Sequence, residues 1–263
     1  MIKAQQVGLK KPPHNSVEHQ QEEATRLNKF LSESGVSSRR GADRLIQEGR
    51  VSINGIVAEL GMSVYEDDSV SLDGVAVSNQ KHRFYIALNK PRGITSTTDP
   101  KDPTNIISFL NHPESVFPIG RLDKDSFGLI LLTNDGDVVN KILREENGHD
   151  KEYDVSVHKA FDEAFVYSMQ EGVEIYNQAA HRHEVTKPCT VTREGSNRFT
   201  IILQQGLNRQ IRRMTKALGY RVTSLKRTRI MNIHLGDLKQ GQWRYLNAEE
   251  VSELNLLLKN QKG

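Results

Sequence analysis

Apolar positions along this chain follow a helical period in some segments and alternate in others, and one segment follows neither pattern. Residues 1–23 are rich in Gln and Glu and poor in apolar residues, which predicts an unstructured tail. From residue 24 onward, Leu27, Phe30 and Leu31 are spaced as on one face of a helix. The structured part of the chain is therefore expected to begin at residue 24.

A compact unit of two helices and short strands is predicted over residues 24–80. Ser38 can cap a second helix, which Gly49 ends. Asn54-Gly55 separates two short apolar segments, and this pair is the strongest short signal of a β-hairpin because both residues tolerate positive φ. A further strand over residues 69–72 completes the unit.

A larger region of short strands and helices is predicted over residues 81–259. The expected strands are 83–88, 129–132, 153–157 and 198–203. The expected helices are 138–143, 162–172, 208–218 and a last one that Asn247 and Glu250 begin. We expect that last helix to bury Val251, Leu254, Leu257 and Leu258. Together the two regions predict an α+β protein with a small domain followed by a larger mixed one.

The composition is that of an ordinary globular protein, with 26% charged and 36% hydrophobic residues. No apolar run approaches the roughly 18 residues of a membrane-spanning helix, and the N-terminus lacks the apolar segment of a signal peptide. A cytoplasmic protein without membrane association is therefore expected. His181, His183 and the single cysteine, Cys189, offer at most three zinc ligands, so no metal site and no internal disulfide are expected.

The positive charge of the chain is concentrated in one stretch. The net charge is only +3, yet the 42 residues between Glu194 and Asp237 contain nine basic residues and no acid. The rest of the chain is therefore net negative. This distribution favours a surface that binds a polyanion. The alternative is a basic face that acids from elsewhere in the fold balance.

Three polar clusters could carry chemistry. The loop over residues 118–129 presents Asp123 before a buried strand, which suits nucleophilic or acid–base catalysis, although Asp123 could instead cap the loop or pair with Arg121. Tyr153 opens a strand, where a tyrosine is ordinarily core material. The third cluster is the basic helix over residues 208–218. Its arginines could bind phosphates and still leave one guanidinium to pair with a carboxylate.

Two sets of motifs resemble known families. The first set resembles the S4 RNA-binding module, and it consists of RLNKFLSESGVSSRR and VSING. The second resembles the pseudouridine synthases, in the branch typified by small-subunit ribosomal synthase A and large-subunit synthases B, E and F. It consists of FPIGRLDKDS, KEY, QGLNRQIRRM and RTRIMN. The resemblance spans residues 24–258 and implies a largely antiparallel-sheet catalytic domain after an S4-like domain.

The resemblance implies an enzyme that converts uridine to pseudouridine in structured RNA without a cofactor. Its expected partner is 23S ribosomal RNA, with a transfer RNA as a further candidate, and a monomer suffices. It implies that Asp123 is the catalytic carboxylate, that Arg212 pairs with it, and that Tyr153 packs against the flipped uracil and helps remove the C5 proton. The expected RNA contacts are Arg121, Leu122, Lys124, Arg209, Gln210, Ile211 and Arg213, and in the S4-like domain Arg39, Arg40 and Arg44.

Two other functions stay open on the residues alone. A non-catalytic RNA-binding protein built on the S4 module fits the basic stretch equally well. A glycosidase that uses Asp123 with Asp125 is a weaker alternative, because no sugar-binding aromatic residues accompany the two carboxylates. Lys90 and residues 177–187, part of which looks like an insertion, have no assigned role.

Overall fold

The structure, a computed structural model, describes residues 3–8, 24–65, 67–77, 83–143, 148–177 and 180–259. The elements of residues 3–77 are, in chain order, β1 (Gln5–Gln6), β2 (Thr25–Arg26), α1 (Leu27–Glu33), α2 (Arg39–Gln47), β3 (Val51–Ile53), β4 (Ile56–Val57), β5 (Ser63–Val64), β6 (Val70–Leu72) and β7 (Val75–Ala76). Those of residues 83–259 are β8 (Tyr85–Lys90), α3 (Ile106–Leu110), β9 (Phe117–Ile119), β10 (Phe127–Thr133), α4 (Gly136–Leu143), β11 (Lys151–Val157), α5 (Glu163–Glu171), β12 (Glu174–Asn177), β13 (Arg182–Val185), β14 (Thr190–Arg193), β15 (Arg198–Leu203), α6 (Gln210–Ala217), β16 (Val222–Ile230), β17 (Ile233–His234), β18 (Gln242–Tyr245) and α7 (Ala248–Lys259).

Residues 24–77 fold as the predicted unit of two helices and short strands. The Ser38 side chain accepts a hydrogen bond from the Gly41 N–H and thereby caps α2. Asn54 and Gly55 have φ of +53° and +80°, as the tight turn between β3 and β4 requires. The strands β4, β3, β6 and β7 follow one another in an antiparallel sheet. The predicted end of this unit at residue 80 lies outside the described residues.

One large sheet organises residues 83–259. Its strand order is β1-β18-β8-β10-β16-β11-β15-β14, with β9 beside β10 and β17 beside β16. Among the described strand pairs, β1–β18 and β10–β16 are parallel and the others are antiparallel, which confirms a largely antiparallel sheet. Ile86 and Leu88 of β8 join one hydrophobic core, and Tyr85 and Ala87 join the other. Both faces of the sheet are therefore buried.

Strand β16 lies in the middle of the sheet, although no strand is predicted there from the sequence. Its sequence, VTSLKRTRI, contains three basic residues and no apolar run. It nevertheless pairs with β10 on one side and with β11 on the other. Arg227 of β16 is only 4% exposed. The basic stretch is thus partly interior, and its interpretation as a surface is wrong at Arg227.

The predicted unstructured tail is wrong at residues 3–8. Gln5 and Gln6 form β1, which pairs in parallel with β18 at the edge of the large sheet. The backbone N–H of Ala4 donates to Phe109 O at 2.7 Å, and that of Val7 donates to Trp243 O at 2.7 Å. An edge strand offers unpaired N–H and C=O groups to any extended segment. This partner lies far away in the sequence, so local composition could not reveal it.

Two further predictions need adjustment. Asn247 and Glu250 exchange side-chain-to-backbone hydrogen bonds and so form the predicted cap of α7, but Leu257 is 38% exposed rather than buried. The segment that looks like an insertion contributes to a hairpin, β12–β13. Among the helices of the described ranges, none combines the length and the apolar character that crossing a membrane demands.

Candidate active site

Asp123 lies on a short loop between β9 and β10, two strands that pair with each other. Gly120 begins the loop with φ of +81°. The next residues are held by Ser96, whose hydroxyl donates to Leu122 O at 2.8 Å and accepts from Leu122 N at 3.1 Å. The Ser126 N–H then donates to Asp123 O at 3.0 Å and closes the turn. The backbone of the carboxylate is therefore fixed from both sides.

A cavity of about 380 Å³ opens beside Asp123. Tyr153 of β11, Leu225 and Arg227 of β16, and Gln205 from the loop before α6 also line it. Its volume is within the range of small-ligand pockets, about 300–1,000 Å³. The structure thus brings two of the three predicted catalytic residues, Asp123 and Tyr153, to one cavity.

Arg212, predicted to pair with Asp123, makes no direct hydrogen bond to it within the described residues, although the two charges interact. Arg212 instead donates to Ser126 Oγ at 3.0 Å and lies 3.4 Å from Asp125 Oδ2. The arginine nearest to Asp123 is Arg209, with 3.6 Å between Nη1 and Oδ2. The physical reason is competition, because Asp125 comes two residues later on the same loop and faces the same side of α6. Spacing along the sequence could not rank the two carboxylates.

Asp125 holds both arginines of this helix start in place. Arg209 donates to its two carboxylate oxygens at 3.0 and 2.9 Å. These hydrogen bonds keep the pKa of Asp125 below its ordinary value. Burial lowers the pKa of Arg212, although the Asp125 carboxylate acts in the opposite direction. Arg209 itself adopts a left-handed φ of +52° just before α6, which turns the helix start toward the loop.

Two buried cations lie close to the Asp123 loop. Lys90 is fully buried at the end of β8, and its Nζ donates to Pro91 O at 3.0 Å and to Ile94 O at 2.8 Å. Burial and the neighbouring Arg227 lower the Lys90 pKa to about 8, while the Asp123 carboxylate opposes that change. The Lys90 charge therefore interacts with the Asp123 carboxylate at the cavity.

Arg227 connects the cavity wall to the Asp123 loop. Its Nε donates to Leu129 O at 2.7 Å and its Nη1 donates to Arg121 O at 3.3 Å. Its Cζ lies 6.0 Å from the centroid of the Tyr153 ring. From its place in the basic stretch, Arg227 is expected at the surface, and it is buried instead. The available signal was the position of Arg227 two residues after the apolar Leu225, because residues two apart lie on the same face of a strand.

The predicted RNA contacts divide by exposure. Arg121 and Lys124 are exposed on the Asp123 loop, whereas Leu122, Gln210 and Ile211 are buried and line the cavity. Arg213 is half-buried, and it donates to Tyr176 O of β12 and to Asn208 Oδ1. The contacts predicted in the small unit, Arg39, Arg40 and Arg44, are all exposed.

The described residues hold no group of three or more His, Cys, Asp or Glu side chains that could bind a metal ion. His181 and His183 are exposed on the β12–β13 hairpin, and His183 Nδ1 faces Glu174 at 3.8 Å. The half-buried Cys189 donates to Met169 O, and burial raises its pKa to about 11.

Comparison with known proteins agrees with this fold. The chain belongs to the RNA pseudouridylate synthase family, whose model matches residues 84–217, and the S4 domain model matches residues 25–70. One relative is the dual-specificity RNA pseudouridine synthase RluF of Escherichia coli (strain K12), 49% identical over 242 residues that cover 91% of this chain and 81% of that protein. Another is the ribosomal large subunit pseudouridine synthase B of Bacillus subtilis (strain 168), 32% identical over 90% of this chain and 98% of that protein.

A solved pseudouridylate synthase has the same fold. It is 28% identical, with a TM-score of 0.63 over 88% of this chain and 99% of that chain. The expected α+β fold with an S4 domain and a synthase domain is therefore confirmed. The chain is an RNA pseudouridine synthase, and the non-catalytic RNA-binding alternative is set aside.

Proposed function

We propose that the chain isomerises a specific uridine of 23S ribosomal RNA in the cavity beside Asp123, and that a transfer RNA is a second substrate. The observation that carries the proposal is the meeting of Asp123 and Tyr153 at one cavity that arginines border. The printed names of the relatives support the substrates in part, since one acts on the ribosomal large subunit and another has dual specificity. We expect a monomer that works in the cytoplasm, where these RNAs are made.

The proposed reaction rearranges bonds without any net change in composition. The bond between ribose C1′ and uracil N1 breaks, a bond between C1′ and C5 forms, C5 loses its proton and N1 gains one. Asp123 acts as the reacting carboxylate, and the Arg209 guanidinium lies 3.6 Å from it. The target uridine must first leave its stack, at a cost of a few kcal/mol.

The other residues receive roles from their positions. Tyr153 offers its ring as the wall against which the flipped uracil packs, and it assists removal of the C5 proton. Arg121, exposed on the Asp123 loop, holds the flipped nucleotide's phosphate or fills the place that it vacates. The arginines of α6, Arg209 and Arg213, contribute salt-dependent affinity for the backbone.

Replacement of the carboxylate tests this proposal. Asp123→Asn keeps the size of the side chain but removes its charge, and we expect no detectable release of tritium from RNA that contains [5-³H]uridine. Asp237→Asn, the same change at an exposed residue that does not line the cavity, is the matched control and should retain most of the release. Asp123→Asn activity at the wild-type rate would overturn the catalytic assignment.

Mapping of pseudouridine tests the substrates. A strain that lacks this chain should lose one modified position in 23S ribosomal RNA and one in a transfer RNA, and both should return when the wild-type chain is supplied. If Asp123→Asn restored either position, the proposed role of the carboxylate would be wrong. If only ribosomal RNA changed, the proposed second substrate would be wrong.

A further inference from the structure

Gln205 presents an unused hydrogen-bond donor at the catalytic cavity. The residue is 92% buried, since its exposed fraction is 8%, and it lines the same cavity as Asp123. Its side-chain oxygen, Oε1, accepts two hydrogen bonds, from the backbone N–H of Lys187 at 3.1 Å and from Gln210 Nε2 at 3.0 Å. Its Nε2 donates to no residue in the described part of the chain, yet it is not sealed from solvent.

The orientation of this amide follows from backbone donors. The Lys187 N–H can only donate, so the atom that faces it must be the Gln205 oxygen. The Leu207 N–H likewise donates to Gln210 Oε1 at 3.1 Å, which leaves Gln210 Nε2 as the group facing Gln205. Each amide is thus anchored by one backbone N–H. The chain of bonds ends on the two free N–H groups of Gln205 Nε2.

A fixed amide donor in a flipped-base cavity suits a carbonyl acceptor. Uracil has two such acceptors, O2 and O4, whereas cytosine carries an amino donor in place of O4. Buried polar sites discriminate strongly against a ligand that leaves their groups unpaired. A donor aimed at O4 would therefore admit uracil and reject cytosine, and a donor aimed at O2 would fix the orientation of the ring.

We propose that Gln205 is a specificity-determining residue that donates a hydrogen bond from Nε2 to a carbonyl oxygen of the flipped uracil. The proposal rests on the proposed function, in which the uracil enters the cavity beside Asp123. Gln210 is a positioning residue in this arrangement, because it holds the Gln205 amide and its own Oε1 is taken by Leu207 N–H.

Gln205→Glu is the sharpest variant. One carboxylate oxygen can still accept from Lys187 N–H and Gln210 Nε2, so the surrounding bonds are retained, while the donor is replaced by an acceptor. Gln204→Glu is the matched control, because it places the same charge one residue away on the cavity wall, where the Gln204 Nε2 donates to Asp150 instead. Tryptophan fluorescence during thermal unfolding checks that both variants fold.

The experiment combines each variant with an RNA change at the reacting base. One stem-loop RNA that the wild-type chain converts is prepared with uridine, 4-thiouridine or 2-thiouridine at the target position, and kcat/KM is measured by nucleoside analysis of the product. Sulfur is a weak acceptor. We expect one thio-substitution to lower wild-type and Gln204→Glu kcat/KM by about two- to tenfold, the effect of one neutral hydrogen bond.

For Gln205→Glu, we expect lower kcat/KM on the uridine RNA and no further loss on that same thio-substituted RNA. The position of the sulfur identifies the contacted carbonyl. If the wild type loses nothing on either thio-RNA, or if Gln205→Glu loses as much as the wild type on both, the assignment is overturned. A wild-type chain that converts none of the candidate stem-loop RNAs, or an active Asp123→Asn chain, would instead contradict the proposed function.

Discussion

The buried Lys90 ammonium should make the stability of this enzyme depend on pH in a way that one substitution reveals. Lys90 is fully buried, and its pKa is lowered from 10.5 to about 8. At about 1.4 kcal/mol per pH unit, holding the charge in the folded protein costs about 3 kcal/mol below pH 8. Lys90→Met removes the charge and keeps an unbranched side chain in the same space.

The sign of the effect follows from which state binds the proton. The unfolded chain keeps the Lys90 proton up to pH 10.5, whereas the folded chain releases it near pH 8. The wild type is therefore penalised fully below pH 8 and gains stability as pH rises from 8 toward 10.5. Between pH 7 and pH 9.5 the gain relative to Lys90→Met is about 2 kcal/mol.

The hydrogen bonds of Lys90 Nζ set the absolute difference in the free energy of unfolding between the wild type and Lys90→Met. The substitution loses the bonds to Pro91 O and Ile94 O, worth about 1 kcal/mol each. Lys90→Met should therefore be about 1 kcal/mol more stable than the wild type at pH 7 and about 1 kcal/mol less stable at pH 9.5.

Urea unfolding at pH 7 and pH 9.5 measures this change of sign in the stability difference between the two proteins. Trp243 is the single tryptophan of the chain and pairs with Leu88, two residues from Lys90 on the same strand, so its fluorescence reports the relevant domain. Other titrating groups are common to both proteins and cancel in the difference. A difference in unfolding free energy that stays constant between the two pH values would refute the reasoning.

Three other predictions concern separate parts of the molecule. Arg213→Gln should lower the slope of log affinity for RNA against log salt by about 0.7 to 0.9, the effect of one phosphate contact, and an unchanged slope would contradict its role. Val7→Pro removes an N–H that donates to β18 and should lower the free energy of unfolding in urea by about 1–2 kcal/mol; no change would mean that β1 is not bound in solution. Gly128→Ala places Cβ 2.3 Å from Arg227 O and should lower the free energy of unfolding by about 3 kcal/mol or more. Gly93→Ala is also at positive φ but has no atom within 4 Å of the added Cβ, so it should lower the free energy of unfolding by about 1 kcal/mol. Equal losses in those two glycine variants would show that the close approach is unimportant.

Features with local physical causes were predictable from the sequence. A helix cap needs only a few neighbouring residues, so Ser38 and the Asn247–Glu250 pair could be recognised without any tertiary information. The Asn54-Gly55 turn was predictable for the same reason. Asp123 was predicted as catalytic because its loop precedes an apolar strand and forms part of a family motif, and the structure places it at a cavity.

Features that depend on distant partners were missed. The burial of Arg227 is satisfied by carbonyl groups of Leu129 and Arg121, about a hundred positions away in the sequence, so its strand looked like surface. Arg212 was predicted to pair with Asp123, and only the folded loop shows that Asp125 lies closer to it. Strand β1 depends on the exposed edge of β18, which no pattern in residues 3–8 encodes.

The buried lysine also explains why stability and activity should separate at this site. Lys90 and Arg227 hydrogen-bond to backbone carbonyls, so their positive charges are not cancelled by a contacting carboxylate within the described residues. The Asp123 carboxylate at the cavity opposes the lowering of the Lys90 pKa, so these two charges interact. The ammonium whose burial costs stability thus lies near the proposed catalytic carboxylate. We therefore expect Lys90→Met to lose kcat in the tritium-release assay at pH 7, the pH at which it gains stability; a variant that gained stability and kept full kcat would show that the Lys90 charge has no part in the reaction.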